Sequence, residues 1–173
     1  MENNYRDEIL SGLDETSNDL FQTIALFTQD QFNKVPFQNS WTAAQVAEHI
    51  FKSEKGIPVV LKGKNRPTER QPGEKVEKIK SIFLDYDLKM KSPESVFPSN
   101  EKHDKEQMAA SLKANREEIV KVASTLDLKQ TFYDFEFPTL GEFTGIEWLT
   151  FITCHTKRHT HQMKNIYSKL NEG

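Results

Sequence analysis

Two matching helix-start signals, about a hundred residues apart, constrain this chain more than any other feature. Thr42-Ala43-Ala44-Gln45 and Thr144-Gly145-Ile146-Glu147 both read as capping boxes. In each, the threonine hydroxyl accepts from the backbone N–H three residues on, and the Gln or Glu side chain returns to the threonine N–H. An aromatic residue precedes each cap, so Trp41 can close on Val46 and Phe143 on Trp148 as hydrophobic staples. Behind the caps, Val46, Ile50, Ile57 and Leu61, and then Trp148, Ile152, Met163, Ile166 and Leu170, recur at helical spacing. The last of these helices runs towards Leu170, and Pro58 kinks the earlier one or marks its final turns.

Two further stripes complete the pattern. Leu13, Leu20, Ile24 and Phe27 predict a helix over about 5–29, whose other side carries a run of acids read as a solvated face. Met108, Leu112, Ile119, Val122 and Leu126 predict a helix over about 103–126, with Asn115 as its polar break. The stretch between about 62 and 103 holds Pro67, Pro72, Gly73, Pro93 and Pro98, and Val76, Ile79, Ile82 and Phe83 suggest one short helix inside it. Tyr133, Phe135 and Phe137 alternate with acids, which is an extended pattern, and the rings suit either core packing or one wall of a pocket. The expected fold is all-α: one domain over 1–173, a four-helix bundle with a long crossover between helices two and three.

Composition removes several functions. With 23 basic and 26 acidic side chains, a net charge of −3, the chain lacks the cationic excess of a nucleic-acid binder. Residues 62–80 are locally basic but have no interleaved aromatic rings to stack on bases. No apolar run approaches the roughly 20 residues that span a bilayer, and none marks a signal peptide near Met1. A single cysteine, Cys154, excludes an intrachain disulfide, so a cytoplasmic location is expected, with no membrane or nucleic-acid partner.

The histidines carry the functional signal. His155 and His159 differ by about 40° around a helix axis, so they stand one above the other on the apolar stripe. His49 occupies the inward stripe of the helix that Thr42 caps. An inward histidine is ordinarily a hydrogen-bonded core residue. Three in one interior need three sets of partners, since each unpaired buried group costs about 1–3 kcal/mol. One divalent ion satisfies all three, and three nitrogen ligands leave a coordination position open for chemistry. Imidazole suits zinc, nickel, copper or iron. Thr156, Lys157 and Arg158 fill the interval, so the glutamate of the HExxH zinc-protease motif is absent. Gln162 is placed to support His159 from behind. His161 falls on another face, His103 is expected exposed in the crossover, Cys154 reads as a small buried hydrophobe, and Glu48 should point aside. No acid, base or nucleophile stands at a diagnostic spacing, so no catalytic residue is assigned.

Ser40-Trp41-Thr42-Ala43-Ala44-Gln45-Val46-Ala47-Glu48-His49-Ile50 resembles the second-helix signature of the DinB-like (DinB/YfiT) superfamily. Thr144-Gly145-Ile146-Glu147-Trp148, followed by the segment His155 to Gln162, resembles its last-helix signature. The resemblance implies the bundle with its crossover, a metal triad on His49, His155 and His159, and a homodimer. It also implies a small-molecule substrate and, in some members, transfer of a low-molecular-weight thiol of the bacillithiol or mycothiol kind to an electrophile. Three readings stay open: a metal-dependent S-transferase or hydrolase, a non-catalytic stress-related bundle stabilised by metal, and a metal-free helical interaction module.

Overall fold

Each stripe becomes a helix in the computed structural model, which describes residues 2–172. The helices are α1 (Glu2–Leu26), α2 (Gln29–Phe32), α3 (Ala43–Glu54), α4 (Ile57–Lys62), α5 (Val76–Phe83), α6 (Lys105–Thr125) and α7 (Gly145–Asn171). Both capping boxes form, at Thr42 with Gln45 and at Thr144 with Glu147. Phe143 meets Trp148 edge-on at 5.2 Å, which is the expected staple. Trp41 packs against the core cluster that holds Val46, and its ring also lies 5.3 Å from that of His49 and 5.5 Å from that of Phe97. Pro58 sits in the first turn of α4, where its missing N–H costs nothing, and the helix expected through it breaks at Lys55–Gly56.

Two expectations need correction. The first helix stops at Leu26 rather than 29, because Thr28 and Gln31 build a third capping box that starts α2. The helices are also accompanied by a small antiparallel sheet, ordered β1 (Asn65–Arg66), β2 (Thr131–Phe137), β3 (Gly141–Thr144). Asn65 pairs with Phe132, and Phe132 with Phe143, with an irregularity before Phe137 pairs with Gly141. Thr139 and Gly141 take positive φ to turn the β2–β3 hairpin. At the start of α7, Gly145 lies so close to Leu128 that a Cβ would meet its Cα at 2.9 Å.

The four-helix bundle consists of α1, α3 with α4, α6 and α7; α7 packs on α1 and α3, and α6 on α1, α3 and α4. Its core is divided. One apolar half gathers Leu13, Ile57, Ile119, Trp148 and Ile152, and the other Leu20, Ile50, Leu112, Met163 and Ile166. Between them, every helix of the bundle contributes buried polar side chains: Ser17 from α1, His49 and Glu54 from α3, Arg116 from α6, and His155, Thr156 and His159 from α7. This polar layer is where the site lies.

Candidate metal centre

Part of the layer is a closed ionic network. Arg116 donates through Nε to Glu54 Oε2 at 2.8 Å and through Nη2 to Oε1 at 2.7 Å. Its Nη1 reaches Ser17 Oγ at 2.9 Å, and Nη2 also bonds Thr156 Oγ1. Burial pushes the Glu54 carboxyl up, while Arg116 and Thr156 pull it down. Arg116, not Asn115, thus holds the inward polar position on α6. Sequence reasoning missed this network, although Glu54 follows Ile50 by four and Arg116 follows Leu112 by four, on the buried stripes.

The three histidines meet beside it. His49 Nε2 lies 3.1 Å from His155 Nε2, and one ring nitrogen from each of His49, His155 and His159 falls within 4.8 Å of the others. His49 Nδ1 lies 2.8 Å from the Val96 carbonyl, and His159 Nδ1 lies 2.8 Å from Gln162 Oε1. An oxygen acceptor at Nδ1 places the proton there and leaves Nε2 as a lone pair. His155 Nδ1 is buried without a hydrogen-bond partner.

Electrostatics favour neutral rings throughout. Burial, then His159 and His49, hold His155 well below the ordinary histidine range. Burial first and His49 second push His159 down to about 3, and burial lowers His49 against the Val96 carbonyl. Neutral imidazoles that bring one ring nitrogen each to a common point fit a divalent transition ion.

Other residues land as follows. Glu48 points away from the cluster: its Oε2 accepts from the Ser99 amide at 2.8 Å and from His103 Nε2 at 3.0 Å, and its Oε1 pairs with Lys52. Burial pushes the Glu48 carboxyl up, but bonds from Lys52, Ser99 and His103 outweigh it and bring it to about 2. His103 is therefore half-buried and anchored, not exposed as expected, because Glu48 recruits it. His161 is exposed and stacks on Tyr86 at 4.3 Å, and Cys154 is buried with its thiol pushed up by burial.

A cavity of about 580 Å³ opens onto the histidines. Its walls include Phe83, Phe151 and Trp148, the hairpin rings Phe135 and Phe137, and, from the strap that runs from Met90 to Val96, every residue but Glu94. Arg158 pins the segment that leads into that strap through the Asp85 and Leu88 carbonyls. Among the described residues, no acidic side chain lines the cavity.

A family model described as the DinB superfamily matches residues 12–163. The chain belongs to the DinB superfamily. Among relatives of this DinB-superfamily chain, the uncharacterized protein YuaE of Bacillus subtilis (strain 168) is 29% identical over 147 residues, covering 83% of this chain and 87% of YuaE. The solved structure of YfiT from Bacillus subtilis superposes with a TM-score of 0.64 at 15% identity, covering 97% of this chain and 89% of that one. YfiT is described as a probable metal-dependent hydrolase with an unusual four-helix bundle topology, and the likeness carries the fold. No helix among the described residues is long and apolar enough to cross a membrane.

Proposed function

We propose that His49, His155 and His159 hold one divalent transition ion, and that the chain is a metal-dependent enzyme joining a low-molecular-weight thiol to an electrophile bound in the cavity. The observation that carries this reading is a three-nitrogen cluster facing a largely apolar chamber that has no acidic side chain. When bound, the ion supplies Lewis acidity that favours thiolate over thiol. Thiolate is nucleophilic without a neighbouring base, so the missing carboxylate is no obstacle. The sulfur forms a bond to the electrophilic carbon, the leaving group departs with the electron pair of the bond it loses, and the thiol proton passes to solvent.

The chain's own residues prepare this. Val96 and Gln162 fix the orientation of His49 and His159 through their Nδ1 atoms. Phe83, Phe151 and Trp148 exclude water around the reacting atoms. Arg158 fastens the strap that closes one side. A hydrolase is the second reading, favoured by the description of YfiT as a probable metal-dependent hydrolase. Zinc- or nickel-loaded protein assayed with a chloroaryl electrophile and bacillithiol or cysteine should consume thiol and release chloride. Turnover of ester or amide panels without thiol selects the hydrolase, and turnover of neither removes both readings.

A further inference from the structure

The charge of the cavity is opposite to that of the chain. Acidic residues outnumber basic ones overall, for a net charge of −3, yet the 25 residues lining the cavity include four cationic side chains and no acidic one. The four are not equivalent. Lys52 is neutralised by Glu48 at 2.8 Å. Arg158 spends its guanidinium on backbone carbonyls, which leave its positive charge uncompensated. Lys55 and Lys91 are exposed and have no ion-pair partner among the described residues. They come from different elements, Lys55 from the break between α3 and α4 and Lys91 from the strap, and line the same chamber. Behind them the walls are aromatic and aliphatic: Ile82, Phe83, Phe137, Trp148 and Phe151.

We infer that the cavity selects an amphipathic organic anion, with an aromatic or branched-alkyl body against the rings and an anionic group held by Lys55 and Lys91. Arg158, half-buried in the wall, adds a further positive charge to the same chamber. Apolar area supplies affinity, and the two lysines set the sign of charge and the orientation of the occupant. The body then points its other end towards His49, His155 and His159. Only this last step rests on the metal-enzyme reading above; the cationic mouth stands without it.

The probe pair is 8-anilinonaphthalene-1-sulfonate and its uncharged analogue N-phenyl-1-naphthylamine, titrated by fluorescence into metal-free and zinc-loaded protein. The sulfonate should bind about tenfold more tightly than the neutral amine, the scale of one charge-assisted contact. Lys55→Ala/Lys91→Ala should erase that advantage and Lys55→Arg/Lys91→Arg should keep it. Lys113→Ala, which does not line the cavity, should change nothing. Equal affinity for the two probes, or an advantage surviving the double alanine variant, overturns the inference. So does a preference that appears only with zinc, which would place the anion on the ion instead of the lysines. A preference present in both forms, in a protein that shows no thiol transfer, retains this inference and discards the enzyme reading.

Discussion

Removing Arg116 should be among the most damaging single changes in the bundle that leave the histidines untouched. Glu54 is fully buried, and Arg116 supplies two of its hydrogen bonds and the opposing charge that pulls its carboxyl down. Arg116→Met leaves a carboxyl in the polar layer without its cation, at a cost of about 3–5 kcal/mol. Glu54→Leu strands the guanidinium and should cost a similar amount. The double variant Glu54→Leu/Arg116→Met should cost about 2 kcal/mol or less, because replacing a buried pair by apolar side chains is near neutral. The structure supports that figure: Ser17 Oγ and Thr156 Oγ1 keep their own acceptors, the Leu13 and Ile152 carbonyls, so no hydroxyl is orphaned. Urea denaturation of the four metal-free proteins at pH 7 gives the cycle. Additive losses in the double variant would refute the account of a coupled pair, since coupling is what non-additivity measures.

Three other outcomes follow from the same geometry. The metal-free protein should lose stability as pH falls from 6.5 towards 5: the unfolded histidines take protons in that window while buried His155 and His159 do not. Each contributes a slope that approaches about 1.4 kcal/mol per pH unit towards pH 5, and His155→Phe should flatten it in a pH series of denaturation curves. Gln162→Leu removes the acceptor from His159 Nδ1 and should weaken zinc binding about 10–100-fold in a chelator competition, with the fold unchanged by circular dichroism. Thr144→Ala deletes the α7 cap and its bond to the Pro72 carbonyl, and should cost about 1–2 kcal/mol in thermal denaturation.

The parts of the fold that declare themselves through local periodicity were legible. The capping boxes at Thr42 and Thr144, the stripes of the four bundle helices and the short helix at Val76–Phe83 all follow from spacing and cap chemistry. The convergence of His49 with His155 and His159 was legible for the same reason, since inward positions of facing helices must meet. Of the sheet only β2 was legible, in the alternation of Tyr133, Phe135 and Phe137 with acids; β1 is two residues long and β3 overlaps the approach to a cap, so neither has room for such a pattern. Glu54 and Arg116 were hidden by their chemistry, although their positions on the buried stripes match those of the histidines. The cavity and its cationic mouth depend on the strap and the hairpin crossing the bundle, which no local pattern encodes.

Metal content tests the central claim most directly. The untagged protein, purified without chelator and measured by elemental analysis alongside His49→Ala, His155→Ala and His159→Ala, should carry one divalent transition ion per chain, and each variant should lose it. A wild-type protein that neither retains nor takes up such an ion, or variants that bind it as tightly as the wild type, would contradict the account.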